Sequence, residues 1–224
     1  VVGVGHAAMR IDIVWDATCP WCFIGKRRLE RAMAMRPQIA VRRSWRPFQL
    51  NPEMPPAGMP RELYLQLKFG GARNGARLHA VIAAAGRSEG IDFAFGKIRR
   101  IPNTVNAHRL IAAAAAEGRA DAFVEALFVG YFSGGLDIGD VATLAAIADQ
   151  CGLDRKASRA CLAEEAGVAA VLAEDDRARR IGIRAVPCFI VDGGYAVSGA
   201  QEPEMFLPLF DLAAVTARRA PVEA

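Results

Sequence analysis

Two cysteines separated by two residues are the part of this sequence best suited to chemistry. The tetrapeptide Cys-Pro-Trp-Cys runs from Cys19 to Cys22, between a predicted strand at 10–16 and a predicted helix at 23–35. A thiolate is a strong nucleophile, and the positive end of a helix dipole with its free N–H groups stabilises one on Cys19. The two-residue spacer lets the sulfur atoms meet in a disulfide, and Pro20 suits the first helical turn because its missing N–H has no intrahelical partner. The pair therefore predicts thiol chemistry.

The alternative for this pair is half of a zinc site. Such a site needs two further Cys or His ligands at a suitable spacing, and the sequence has no second Cys-x-x-Cys pair. The remaining cysteines and the histidines stand singly: Cys151, Cys161, Cys188, His6, His79 and His108. We therefore expect no bound metal. The basic run of Lys26, Arg27 and Arg28 is more typical of a solvated helix face than of a source of positive potential at the cysteines.

The composition is that of a globular protein. With 224 residues, 53% of them hydrophobic and 23% charged, the chain can bury a sizeable core and is not disordered. The net charge of +4 comes from 28 basic and 24 acidic residues without a long block of like charge, so nucleic-acid binding is not indicated. No apolar run approaches the roughly 20 residues of a membrane span, so we expect no membrane partner.

The first eight residues lack the basic and apolar regions of an intact signal peptide. Met9 stands directly before the first predicted strand, which suggests that residues 1–8 are an upstream extension and that translation begins at Met9. In that case we expect a cytoplasmic protein, in which a disulfide is more often catalytic than structural. A mature chain that has already been trimmed is the alternative.

The elements that must position the cysteines begin with a βαβ unit. The strand at 10–16 and the helix at 23–35 are followed by a second strand at 39–46, which is predicted from its β-branched residues and partial alternation. Residues 47–60 contain five prolines and predict an irregular connection with a domain boundary.

The rest of the chain changes from helices back to strands. Alanine-rich periodicity predicts helices at 77–85, 105–117, 121–132, 141–151 and 168–181. An apolar strand at 186–191 then turns through Asp-Gly-Gly into a strand at 195–198, and a helix at 203–219 closes the chain.

The order βαβ, helices, ββα predicts the α/β class and a thioredoxin fold with a large all-helical insertion between its two halves. The discontinuous thioredoxin-like domain comprises 9–59 and 182–219, and the helical insertion domain comprises 60–181.

The chain resembles the DsbA family of thioredoxin-fold proteins from Met9 onward. It is most similar to the FrnE-like branch, which is related to 2-hydroxychromene-2-carboxylate isomerases and kappa-class glutathione transferases. The stretches that carry the resemblance are Asp16 to Lys26, Arg46 to Pro52, Pro102 to Thr104 with Ala107 to Leu110, Val186-Pro187, and Val197 to Gln201.

The resemblance implies roles for individual residues. Cys19 matches the nucleophile that attacks a substrate disulfide, and Cys22 matches the residue that resolves the mixed disulfide. Pro187 matches the family's cis-proline, and the backbone of Val186 before it is expected to pair with a bound peptide or glutathione. Pro20 and Trp21, between the cysteines, are expected to contact the same substrate.

Three further positions have two readings each. Asp16 is a candidate proton relay for Cys22, although an acid at a strand end more often caps the following turn. His108 is a candidate lining residue of the active-site groove, although a lone histidine on an apolar helix is more often a packed core residue. Cys188 departs from the family, which more often has an aromatic or small residue after this proline; it is a candidate third thiol, or a small buried hydrophobe.

These features predict a thiol–disulfide oxidoreductase that acts on protein or low-molecular-weight disulfides. The alternative is a glutathione-dependent isomerase or transferase acting on a small aromatic compound, in which a serine commonly replaces the first cysteine. Both cysteines are present here, which favours redox exchange. A chaperone or binding module with incidental cysteines is a third reading. We expect no tightly bound cofactor, and glutathione is a candidate co-substrate. The expected redox partner is an unidentified electron donor or acceptor, and a homodimer is the candidate assembly.

Overall fold

The computed structural model describes residues 8–212 of the 224-residue chain. Its strands are β1 (Met9–Trp15), β2 (Val41–Pro47), β3 (Met59–Pro60), β4 (Arg100–Ile101), β5 (Cys188–Val191) and β6 (Tyr195–Ser198). Its helices are α1 (Pro20–Ala34), α2 (Arg61–Phe69), α3 (Ala72–Ser88), α4 (Val105–Ala116), α5 (Ala120–Phe128), α6 (Val141–Gln150), α7 (Arg155–Ala163), α8 (Val168–Arg180) and α9, described from 207 to 212. Short helical turns lie at Phe95–Lys97 and Pro203–Met205, and a π-helical segment at Val129–Gly134.

One four-stranded sheet organises the two ends of the chain, in the order β2-β1-β5-β6. β1 runs parallel to β2 and antiparallel to β5, and β5 and β6 form the predicted hairpin. Parallel strands need a crossover, and α1 supplies it between β1 and β2. The predicted α/β class, with helices inserted between a βαβ unit and a ββα unit, is confirmed.

The helical insertion packs on one face of this sheet through aromatic side chains. Ile13 pairs with Phe189 in register, and side chains at paired positions share a face. Trp15, on that face, lies edge-on to Phe128 of α5 with ring centroids 5.1 Å apart. Phe23 of α1 stacks on the same Phe128 ring at 4.9 Å. A single continuous cluster of buried apolar residues therefore joins the sheet, α1 and the insertion.

The structure differs from the predicted elements in several places. α2 and α7 were not predicted, although Asp154 caps α7 by accepting a hydrogen bond from the Ala157 N–H at 2.6 Å, and such a cap is readable in a sequence. The insertion is not wholly helical, because β3 at its border pairs with β4 inside it. The predicted helix at 121–132 ends at Phe128 and continues as the π-helical segment.

Some predictions lie partly outside the described residues. These are the upstream extension at 1–8, of which only residue 8 is described, and the part of the closing helix and of the thioredoxin-like domain beyond 212. The division into domains at 60 and 181 stays a prediction. Among residues 8–212, no helix is both long enough and apolar enough to span a bilayer.

Candidate active site

Cys19 occupies the N-cap position of α1, with backbone angles φ −91° and ψ 110°, and Pro20 begins the helix. The chain reaches this point through a tight turn, in which the Cys19 N–H donates to the Asp16 carbonyl at 3.1 Å. The Cys22 N–H in turn donates to the Cys19 carbonyl at 3.0 Å. No acidic residue lies in the first turn of α1, so the positive end of the helix dipole faces Cys19 without a competing carboxylate on the same turn.

The two sulfur atoms have different environments. The Cys19 thiol lies in hydrogen-bond geometry with the Val186 carbonyl, Sγ to O 3.5 Å, and it lines a cavity. Both residues are buried, with 4% of Cys19 and 2% of Cys22 exposed, and Cys22 lies one turn deeper and does not line the cavity. Burial, followed by the hydrogen bond and the charge of Cys19, raises the pKa of the Cys22 thiol well above its usual value. All five cysteines are free thiols.

The loop before β5 brings a proline against this helix. The Val186–Pro187 peptide bond is cis, as the resemblance implied. Gly25 of α1 permits the close approach, because a Cβ there would lie 2.8 Å from Pro187 Cγ and 3.1 Å from Phe189 Cζ. The contact therefore requires glycine at position 25, and it holds the Val186 carbonyl beside Cys19.

The cavity beside Cys19 has a volume of about 310 Å³ and lies between the thioredoxin-like elements and the insertion. Pro20, Trp21 and Val186, which were predicted to contact substrate, all line it, and Pro187 follows directly after Val186. α2, α3 and the residues around β4 supply its apolar walls, which include Leu65, Ile82, Phe95, Ile98 and Ile101. A small molecule that entered this cavity would reach the Cys19 sulfur.

Polar residues that sequence reasoning missed also line this cavity. His79 stacks on Phe95 with ring centroids 4.2 Å apart, and Arg61 contacts its Nδ1 at 3.1 Å. Burial, then the charge of Arg61, lowers the pKa of His79 to about 4. Burial also raises the pKa values of Tyr64 and Tyr131. No sequence signal marked these residues, because they converge from separate helices.

Asp16 lies where a capping residue is expected. It is 1% exposed, and its carboxylate accepts hydrogen bonds from the Thr18 N–H at 3.0 Å and the Leu50 N–H at 2.6 Å. Its backbone hydrogen bond to Cys22 lowers the pKa of that thiol, and its charge raises it. Asp16 thus organises the turn before Cys19, and its role as a proton relay stays a prediction.

The structure does not bring His108 to the Cys19 cavity. Its ring lies edge-on to Trp15 at 5.3 Å, and it lines a second cavity between β2, α4 and α8. Burial lowers its pKa, and its Nε2 atom has no hydrogen-bond partner among the described residues. His108 is therefore buried against Trp15 and lines a different cavity from the one beside Cys19.

Cys188 lies on the face of the sheet opposite to α1. It pairs with Val14, whereas the next residue, Phe189, pairs with Ile13 and contacts the Gly25 region of α1. Successive side chains in a strand point to opposite faces. Cys188 is 5% exposed, and burial alone raises its pKa. This geometry fits a small buried hydrophobe and separates Cys188 from the Cys19 and Cys22 sulfurs.

The basic run on α1 is not a solvated face as predicted. Lys26 is buried, and its ammonium group contacts Glu30 at 2.7 Å and Glu125 of α5 at 2.6 Å. Arg27 contacts the same two carboxylates, and Arg28 pairs with Glu89 at 2.9 Å. These cations are therefore neutralised in contacts between α1 and the insertion. Across residues 8–212, no cluster of three His, Cys, Asp or Glu side chains suited to a metal is found.

Comparison with known proteins agrees with this architecture. The DSBA-like thioredoxin domain family matches residues 10–210. The crystal structure of a probable DsbA oxidoreductase from Streptomyces coelicolor is 31% identical to this chain, with a TM-score of 0.82 over 96% of this chain and 93% of that one.

Two more distant relatives share most of the chain. The structure of a 2-hydroxychromene-2-carboxylate isomerase has 16% identity and a TM-score of 0.66, over 96% of this chain and 100% of that one, and at this identity it shows the fold alone. YwbO from Bacillus subtilis, described as uncharacterized, is 23% identical over 209 residues, covering 88% of this chain and 94% of its own.

Proposed function

Because this chain belongs to the DSBA-like thioredoxin domain family, we propose that it is a thiol–disulfide oxidoreductase whose redox centre is the Cys19/Cys22 pair. The prediction of the DsbA family is confirmed, and an oxidoreductase is the activity that this family membership supports. The assignment of the reaction to Cys19 and Cys22 is the proposal.

The reaction is a pair of thiol–disulfide exchanges. The Cys19 thiolate attacks one sulfur of a substrate disulfide, the substrate S–S bond breaks, and one substrate thiolate leaves. Cys22 then loses its proton and attacks the Cys19 sulfur, which releases the second substrate thiolate and leaves a Cys19–Cys22 disulfide. The protein loses two electrons and the substrate gains them. A thiol reductant, or in the opposite direction a disulfide oxidant, completes the cycle.

The unlike environments of the two sulfurs carry this proposal. Cys19 lines the cavity at the helix N-terminus, so a substrate sulfur can reach it. Cys22 lies deeper and does not line the cavity, and burial raises the pKa of its thiol, which disfavours its thiolate as the attacking group. This order of reactivity is what an attacking and a resolving cysteine require.

We propose disulfides of proteins or of small thiols as substrates, with glutathione as a co-substrate and no tightly bound cofactor. The Val186 carbonyl beside Cys19 supports pairing with the backbone of such a substrate. A separate thiol or disulfide protein is the proposed electron partner, and a homodimer is the proposed assembly. A cytoplasmic location, where small thiols are reduced, fits this chemistry.

The direct test is the reduction potential of the Cys19/Cys22 pair. The protein is equilibrated in glutathione buffers, and Trp21 fluorescence or thiol alkylation reports the oxidised fraction. We expect one reversible two-electron transition that Cys19→Ser abolishes, while Cys151→Ser leaves it unchanged. The Cys22→Ser variant is expected to accumulate a mixed disulfide at Cys19, visible by mass spectrometry. Without a reversible couple between these cysteines the proposal fails.

A glutathione-dependent isomerase or transferase is the second candidate. The apolar cavity of about 310 Å³ has the size of a small aromatic molecule, which is the observation that favours it. In that branch a serine commonly occupies the position of the first cysteine, so the Cys19→Ser variant is expected to retain glutathione-dependent turnover of an aromatic substrate. Absence of such turnover in both the wild type and Cys19→Ser excludes the alternative.

A further inference from the structure

The cavity beside Cys19 has an unbalanced set of charges. Three cationic side chains, Arg61, Lys68 and Arg184, line it, and no Asp or Glu among the described residues does. Arg61 and Lys68 lie on α2, and Arg184 lies on the loop between α8 and β5. An excess of one sign in a partly apolar cleft attracts ligands of the other sign.

Among the described residues, none of these three cations has a carboxylate partner. Within the part of the chain that is described, no Asp or Glu oxygen lies within 4.0 Å of their nitrogen atoms. Lys68 contacts only the Asn51 side-chain oxygen, at 3.3 Å, and Lys68 and Arg184 are exposed. By contrast, Lys26, Arg27 and Arg28 on α1 are each paired with a glutamate.

His79 adds a neutral donor to the same cavity. Arginine has only N–H donors, so the contact of Arg61 with Nδ1 requires that nitrogen to accept. The ring is then neutral, and its proton sits on Nε2. Stacking on Phe95 fixes the plane of the ring. A hydrogen-bond acceptor on a bound molecule can therefore use the Nε2–H group.

The remaining walls suit an apolar body of limited size. Leu65, Ile82, Ile98 and Ile101 are buried residues of these walls, and the cavity volume of about 310 Å³ is at the lower end of small-molecule sites. Such a volume admits a small thiol derivative more readily than a folded protein surface.

We propose that this cavity selects low-molecular-weight disulfides that carry a carboxylate next to an apolar group. This inference rests on the proposed function, because it names the substrate class of the same Cys19 site. The apolar group lies against the walls from α2 and α3, and the carboxylate lies among Arg61, Lys68 and Arg184. The Cys19 thiolate breaks the disulfide as described above, and the substrate leaves as two anionic thiols.

The test compares three disulfides of similar size and different charge: dithiodipropionate, a dianion; bis-hydroxyethyl disulfide, which is neutral; and cystamine, a dication. Oxidation of the reduced protein is followed by tryptophan fluorescence. Each rate is divided by the rate of the same disulfide with dithiothreitol, which removes intrinsic reactivity. Because the thiolate of dithiothreitol repels an anion, a preference for the dianion that remains after this normalisation is caused by the cavity around Cys19. We expect about a tenfold preference over cystamine at low salt, which declines as salt is added.

Two charge-neutralising variants locate the effect. Lys68→Gln and Arg184→Gln remove exposed cations and are each expected to lower the dianion rate by up to about fivefold, the scale of an exposed ion pair. Each effect is read as the ratio of the dianion rate to the bis-hydroxyethyl disulfide rate, because the loss of a cation near Cys19 changes the reactivity of its thiolate with every disulfide. Arg42→Gln is the matched control, because Arg42 is an exposed cation that lines the second cavity.

Dithiodibenzoate should react faster than dithiodipropionate after the same normalisation, because its rings contact the apolar walls of the cavity.

Equal normalised rates for the dianion and the dication would overturn the proposed selectivity, as would unchanged ratios in both variants. This failure differs from failure of the proposed function. If even the neutral disulfide does not oxidise the Cys19/Cys22 pair, the oxidoreductase proposal itself is wrong.

Discussion

His79 is a residue whose surroundings decide its charge. Burial and the neighbouring Arg61 lower the pKa of His79 to about 4, from an ordinary value of 6.5. The folded protein therefore binds fewer protons than the unfolded chain between these two pH values, and stability is lost as pH falls through that window. At neutral pH the charge of the Cys19 cavity comes from its arginines and lysine, with no contribution from this ring.

We predict that His79→Gln reduces the loss of stability between pH 6.5 and about 4. Urea unfolding of the variant and of the wild type at several pH values checks this, and the ring protons of His79 should titrate near pH 4 by NMR. Burial also lowers the pKa of His108, so the variant keeps that part of the acid sensitivity. Identical pH profiles for the two proteins would contradict the assignment.

Gly25 is the residue on which the approach of α1 to the active-site proline depends. We predict that Gly25→Ala destabilises the protein by about 1–3 kcal/mol, the usual cost of overpacking, and slows disulfide exchange. The physical reason is the added Cβ, which would lie 2.8 Å from Pro187 Cγ. Chemical denaturation and the rate of oxidation of the reduced protein measure the two effects.

The control for this prediction is Gly96→Ala. A Cβ at Gly96 meets nothing within 4 Å, and its backbone is not left-handed. This variant should retain wild-type stability and rate. Equal stability and equal oxidation rates of the two alanine variants would show that the contact of Gly25 with Pro187 contributes to neither property.

At the level of elements, α1 is joined to α5 by charge as well as by aromatic packing. The Lys26 side chain is only 5% exposed and lies between Glu30 and Glu125. Burial raises the pKa of Glu30, but the hydrogen bond and charge of Lys26, with Arg27 and Arg43, lower it overall. The redox helix is therefore held against the insertion by groups that the sequence alone suggested were solvated.

We predict that Lys26→Ala destabilises the protein by about 2 kcal/mol, because it removes the buried cation between Glu30 and Glu125 and leaves the more exposed Arg27 as the cation that they share. Urea unfolding at neutral pH measures the change. The matched control is Arg180→Ala, which removes an exposed pair with Asp176 on α8 and should cost less than about 0.5 kcal/mol. A similar loss in both variants would show that burial of Lys26 adds nothing.

For the whole molecule, the shared core predicts how the chain unfolds. One cluster of buried apolar residues crosses from the sheet into the insertion, and Phe128 of α5 contacts both Trp15 and Phe23. Elements that share a core of this kind lose their packing together. Far-UV circular dichroism, dominated by the helices, and the intrinsic fluorescence of Trp15, Trp21 and Trp45 should therefore report one coincident thermal transition.

The variant that probes this coupling is Phe128→Ala. We expect a loss of about 3–5 kcal/mol with both signals still coincident, because the cavity opens between the two parts. Leu67→Ala on α2 is the control, since 69% of Leu67 is exposed. Two separated transitions in the wild type would instead support independent domains at the predicted boundaries.

Local patterns were sufficient for much of the fold and for the centre of the site. The strand before Cys19, the proline at the first helical turn, the Asp-Gly-Gly hairpin and the alanine-rich helices are each encoded within a short window. The confirmed α/β class and the DsbA family follow from them and from the five matched stretches. The helix α2 was not predicted from such a pattern. Its Leu63 and Leu67 are exposed, so its apolar residues do not lie on one face as they do in a typical amphipathic helix.

The sequence by itself thus determined the cysteine pair, the order of the elements and the family. Only the tertiary structure decided what surrounds the pair. Arg61, His79 and Arg184 come from two helices and a loop and meet at one cavity, whereas His108 and Cys188 turn away from it. The physical reason is that the direction of a side chain depends on strand register and on helix packing, and these are set by contacts between residues far apart in the chain.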